Sequence, residues 1–277
     1  MTLSVNTNIP AIDAYNNLNN TSNAMNNTVS ELSSGLRIQT AANDASGYVI
    51  AQGLDVQSNG LGQAVQNGQN AISVLQIAEG AMNQQVGILQ RMNQIATQAA
   101  NGGATNSNAY TALTDEMNAL ANQLQQIATS TSFGGTNLLD GSYSNQTFQI
   151  GAYTNAGVDN FTLTIQSTEV STLNLTTSFS ITNSASALSA MQSVQNAIQT
   201  VASTQASVGA SQNQIQAVIS NDTVSQQNVQ SAYSTLVDAN MAQVMTSYSS
   251  QQVLMQAGVA MLGQAQQLPQ MILKLIP

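Results

Sequence analysis

The reactive side chains of this 277-residue chain are few: twelve carboxylates, three cations, and many hydroxyls and amides, with no histidine and no cysteine. Lack of histidine removes the commonest general base and metal ligand. Lack of cysteine removes thiolate nucleophiles, disulfides and the usual zinc sites. The adjacent pair Asp115-Glu116 is the one place where two carboxylates are neighbours in sequence. Paired carboxylates can do acid–base work or bind calcium. On a helix, however, neighbours point in different directions, so these two predict a solvated or capping role. Gly60-Leu-Gly62 is a fragment of a phosphate loop without the following lysine or a preceding strand. We therefore expect no catalytic residue, no cofactor, no metal and no enzymatic activity.

The cations are Arg37, Arg91 and Lys274, and the formal net charge is −9. Phosphate recognition needs clustered lysine and arginine. Three scattered cations exclude nucleic acid, and likewise a polybasic membrane anchor. No stretch of about 18 apolar residues predicts a membrane span. Met1-Thr-Leu-Ser-Val lacks the basic and apolar regions of a cleavable signal peptide. Charged residues make up 5% of the chain, against about 25% in ordinary soluble proteins. Asn, Gln, Ser and Thr stand in their place. Acid would leave only three cations unopposed, so packed copies should tolerate low pH. Asn145-Gln-Thr and Asn160-Phe-Thr are sequons in a Ser/Thr-rich middle.

The elements that carry these residues are read from periodicity. Ala11, Tyr15, Leu18, Ser22, Met25, Val29, Leu32 and Leu36 alternate steps of four and three, which predicts a helix with a narrow seam. Gly35 is its expected stop. A second helix is expected from about 43 to 100, with Val65, Ile72, Leu75, Met82, Val86 and Leu89 in its seam. Such a helix spans roughly 80 Å. Asn101-Gly102-Gly103 ends it, and Leu113, Met117, Leu120, Leu124 and Ile127 mark a third helix folded back on the second. From Phe133 to about Thr182 the period becomes two. Phe148 and Ile150, and Phe161, Leu163 and Ile165, predict one or two hairpins, with Asn155-Ala156-Gly157 as a turn. After Ser184 the heptads return through Met191, Val194, Ile198, Val201, Val208, Ile215 and Ile219, with Gln205, Gln212, Asp222 and Gln226 on polar rungs. Val237, Met241, Val244, Tyr248, Met255, Val259 and Leu262 continue them, and Pro269 should end or bend the last helix. The fold class is thus mainly α with a small β region, a long helical coiled-coil rod plus hairpins. Neutral faces behind the seams can pack on further neighbours without burying charge. A single long bundle with polar surfaces fits the same pattern.

Several runs resemble bacterial flagellin: Asn6-Thr7-Asn8, Leu32-Ser-Ser-Gly-Leu-Arg-Ile38 with Ala42-Asn-Asp-Ala-Ser-Gly47, Ser207-Val-Gly-Ala-Ser-Gln-Asn213, and Gln252-Val-Leu-Met-Gln-Ala-Gly258 continuing through Ala265-Gln-Gln-Leu-Pro-Gln270. The resemblance covers about 1–140 and 184–277. It implies a subunit that self-polymerises into the flagellar filament for motility. The N- and C-terminal segments, 1–42 and 236–277, would pair as the inner coiled coil, and 43–235 would form a helical rod with hairpins at about 133–183. The implied self-assembly seams are Leu18, Met25, Val29, Leu32, Leu36, Val237, Met241, Val244, Met255, Val259 and Leu262. The implied partners are further copies, the filament cap and hook-junction proteins, the type III export apparatus, and an export chaperone at the C-terminal segment. The implied address is extracellular, without a cleavable signal peptide. Leu89-Gln-Arg-Met-Asn-Gln-Ile-Ala96 is similar to the flagellin region bound by an animal innate receptor, with Arg91, Ile95 and Glu116 as candidate contacts. A hook–filament junction protein of the same family is the alternative, and a discrete coiled-coil adaptor is another.

Overall fold

The computed structural model of the protein describes residues 7–153 and 159–273, with side chains to 267. Helix α1 (Ile9–Ser34) starts where the Asn8 side chain accepts the N–H of Ala11 at 3.1 Å and Pro10 presets the first turn. It stops at Gly35, whose φ of +73° suits a residue without a Cβ. Helix α2 (Ala45–Ala100) is followed by α3 (Ser107–Ser130), which Asn106 caps through the N–H of Ala109. Two hairpins then form, where one or two were expected. Strand β1 (Ser132–Phe133) pairs antiparallel with β2 (Thr136–Asn137) around Gly134 and Gly135, both at positive φ. Strand β3 (Gln146–Gln149) pairs with β4 (Asn160–Leu163), Phe148 opposite Phe161. Ile150 and Ile165 lie just past their strands and are buried. The turn expected at 155–157 lies outside the described residues. Helices α4 (Ser184–Val237) and α5 (Met241–Leu273) complete the chain. No described helix is long and apolar enough to cross a membrane.

The fold divides into two compact units: Gln57–Gln227, and the two ends up to Val56 and from Asn228. In Gln57–Gln227, α2 runs antiparallel to α4 and folds back onto α3. A continuous apolar core extends from Ala71 to Ile219 and includes Leu75, Met82, Leu89, Met117, Leu124 and Leu163. The α2–α4 seam is tied by side-chain amides: Gln205 Nε2 donates to Asn83 Oδ1 at 3.0 Å, and Gln212 Nε2 to Glu79 Oε2 at 2.9 Å. At Gly68 the helices approach so closely that a Cβ would meet Ile219 Cγ1 at 2.8 Å.

In the unit built from the ends, α1 and α5 run antiparallel, their backbones within 8 Å along the seam. Small residues permit this approach. A Cβ on Gly258 would sit 3.1 Å from Leu18 Cδ1. The closeness also selects which residues enter the seam. Thr28 is 6% exposed, whereas Val29, expected there from the heptads, is 44% exposed. A straight helix drifts from a strict seven-residue repeat, and the small threonine takes the inward position. Tyr15 and Val259 are likewise exposed, beside the half-buried Ala14 and Gly258.

The breaks after α1 and α4 lie side by side. Arg37 N–H donates to Val237 O at 2.7 Å, Ala239 N–H donates to Gly35 O at 2.8 Å, and Leu36 bridges Asp238. The Arg37 guanidinium also donates to Leu236 O, covering a carbonyl at the end of α4. At the far end, Asn8 Nδ2 donates to Ala265 O at 2.8 Å. Helix α5 runs on to Leu273, past Pro269, which was expected to end or bend it.

Candidate self-assembly surface

The two units differ in how well they hide their own apolar residues. Of the eighteen large hydrophobics left exposed among the described residues, thirteen belong to the unit formed by the chain ends. They include Ile9, Ile12 and Tyr15 on α1, Val49 and Val56 on α2, and Leu254 and Met261 on α5. The large core cluster contains no residue of this unit. Its buried apolar residues are scattered: Ile38, Ala51, Val237, Val244 and Ala265. An apolar groove lined by Pro10, Leu18, Leu254, Gly258 and Met261 runs between α1 and α5. Large apolar residues left exposed together on one unit are the pattern of an interaction surface.

The expected seam residues fall into three groups. Val237 and Val244 are buried, and Leu18, Met25, Leu32, Leu36, Met255 and Leu262 are half-buried. Val29, Met241 and Val259 lie outside the α1–α5 seam and face solvent. The heptad pattern misses Thr28, Gly258 and Arg37. Gly258 and Thr28 carry no apolar signal, and the role of Arg37 needs two distant breaks to meet.

On the Gln57–Gln227 unit, Arg91 Nη2 lies 2.6 Å from Glu116 Oε1, and its Nε donates to the same oxygen at 3.0 Å. Both side chains remain about half exposed, so water screens the pair. Ile95, grouped with them from sequence, is 1% exposed and packs in the rod core. The sequence signal there is a core position on α2, not a surface contact. Asp115, beside Glu116, is exposed, and no group of three or more metal-ligating acidic side chains gathers among the described residues.

Two carboxyl groups are perturbed in opposite directions. The hydroxyl and then the N–H of Ser142, with the amide of Asn137, hold Asp140 below the usual carboxylate range. Burial, then the like charge of Asp159, pushes Asp222 up, and its buried Oδ2 finds no hydrogen-bond partner. Burial also raises the Tyr143 phenol. Asp140, Tyr143 and Asp222 do not converge on one site.

Comparison with known proteins agrees with that geometry. The bacterial flagellin N-terminal helical region matches residues 5–144, and the flagellin C-terminal helical region matches 191–276. A flagellin of Halalkalibacterium halodurans is 34% identical over 273 residues, covering 98% of this chain and 99% of that protein. A flagellin of Bacillus subtilis is 32% identical over 301 aligned residues, covering 98% and 99%. Among solved structures, a protein described as flagellar hook-associated from Vibrio parahaemolyticus shares the fold at a TM-score of 0.58. It is 12% identical and covers 70% of this chain and 99% of that one. Matched at both ends and along its whole length, with its chain ends paired and their apolar faces uncovered, the chain belongs to the bacterial flagellin family, the structural subunits of the flagellar filament.

Proposed function

We propose that this subunit polymerises chiefly through the unit formed by its two ends, and that its role is mechanical and not catalytic. The observation that carries this reading is the uneven burial: thirteen of eighteen exposed large hydrophobics lie on the unit that lacks the large core. Contacts between different patches of successive copies propagate without closing and give an open helical polymer. Residues 1–42 and 236–277 then form the inner layer and 43–235 the outer rod. The ends gain the rest of their core only from neighbours, so they complete their folding on assembly. We further read the chain as leaving the cell through the flagellum's own type III export apparatus. A chaperone would shield the C-terminal segment, and the filament cap and hook-junction proteins would be its other partners. Whole-length similarity to flagellins favours a filament subunit over a junction protein.

Seeded polymerisation tests the main reading. Removing residues before Gly35 or after Asp238 should abolish polymer formation while circular dichroism still shows a folded rod. Normal filaments from either shortened chain would overturn it. A receptor contact at Arg91 and Glu116 is a separate proposal, supported by their exposure. Binding of monomer to the receptor ectodomain should weaken in Arg91→Ala, and unchanged binding would remove it.

A further inference from the structure

The α1–α5 pair has little in its seam that distinguishes one alignment from another. Its inward positions on α1 are Ala14, Leu18, Thr21, Met25, Thr28 and Leu32, small or repeating types at three- and four-residue steps. Sliding such a seam by seven residues exchanges similar for similar. Polar groups with one obligatory partner are what fix register in paired helices. Asn8 is such a group. In an α-helix the N–H of residue i+4 donates to the carbonyl of residue i. Helix α5 continues through Pro269 to Leu273, and proline has no N–H. The carbonyl four residues earlier, that of Ala265, therefore lacks its intrahelical donor. Ala265 is 8% exposed, so water has little access to it. The Asn8 side chain fills the gap: Nδ2 donates to Ala265 O at 2.8 Å, while Oδ1 caps α1 through the N–H of Ala11 at 3.1 Å.

We propose that Asn8 and Pro269 form a registry lock, in which the proline exposes one carbonyl on α5 and the asparagine that begins α1 is the donor that recognises it. Slipping α1 by a heptad toward the start of α5 brings Asn8 near a carbonyl already engaged by its own helix. Such a slip also leaves Ala265 O buried without a donor, which a native structure avoids. The lock explains why an asparagine, and not an ionised aspartate, suits position 8: capping needs only an acceptor oxygen, whereas the bridge needs a donor as well. It holds the two ends in one alignment while their folding is completed on assembly.

This inference rests on the assembly reading above, and a double-mutant cycle on the full chain separates the two. Asn8→Asp keeps the capping oxygen and deletes the donor. Pro269→Ala restores an N–H for Ala265 O and makes the donor redundant. In the Pro269 chain, Asn8→Asp should raise the critical concentration for seeded polymerisation several-fold. In Pro269→Ala it should raise it little. An equal fold-change in both backgrounds overturns the lock. If the unaltered chain fails to polymerise, the assembly reading falls instead. The same cycle read by thermal unfolding of the full chain then decides, with equal losses in both backgrounds again overturning the proposal.

Discussion

Replacing Val259 by asparagine separates the folding of one copy from the assembly of many. Val259 lies on α5 and is 57% exposed. Valine and asparagine have similar helix propensities, so the substitution should change the stability of a single chain by no more than about 0.5 kcal/mol. Burying a whole valine contributes about 1.5 kcal/mol at the lower end. The exposed share still to be buried at Val259 is then worth about 0.9 kcal/mol per subunit. Placing an unpartnered amide in the same contact costs about 1–3 kcal/mol more. The sum, about 2–4 kcal/mol, raises the critical concentration by about 30-fold to several hundred-fold. Sedimentation of seeded polymer across a concentration series measures it, and circular dichroism of the unpolymerised chain monitors the fold. Leu124→Ala is the opposite control. Leu124 is fully buried in the rod, so its truncation should cost about 2–5 kcal/mol in thermal unfolding. Val259→Asn polymerising at the normal concentration would refute burial of this α5 face between copies.

Gly68→Ala should destabilise the Gln57–Gln227 unit by about 1 kcal/mol in chemical denaturation. The added methyl presses on Ile219 Cγ1, and the overpacking outweighs the gain in helix propensity. The Arg91–Glu116 pair should show a coupling of about 0.2–1 kcal/mol in a double-mutant cycle, falling as salt is added. The two perturbed aspartates should leave opposite marks on stability against pH. Asp140 is held low, so its contribution is present above 3.8 and lost as pH falls through its folded value; Asp140→Asn should remove that loss. Asp222 is pushed up, so the folded state holds its proton more tightly, and stability declines as pH rises from 3.8 through its folded value. Asp222→Asn should abolish this decline and make the chain more stable at neutral pH.

Much of the fold was legible because local chemistry and global packing agree. Gly35 stops α1, the glycines after Asn101 end α2, and the long helices follow their heptads. The α1–α5 contact within one copy was harder to read, because apolar type alone does not choose the inward face. Two helices in close approach admit Thr28 and Gly258 and turn Val29 and Val259 outward. Ile95 sits in a surface-like motif, yet the return of α3 buries it. Pro269 is compatible with a continuous helix because its missing donor is supplied from the other end of the sequence, by Asn8. Periodicity describes one helix at a time, and each of these outcomes was set by a second one.

The paired breaks at Gly35–Arg37 and Val237–Ala239 are fastened mostly by peptide groups. Every residue except proline carries that hardware, so the fastening does not depend on which side chains decorate it. Drift in the surrounding sequence can recolour the exterior of the joint while its mechanics persist, provided a residue able to turn left-handed remains at Gly35. Divergent chains can thus share one geometry at this joint and differ in the side chains it shows to the outside.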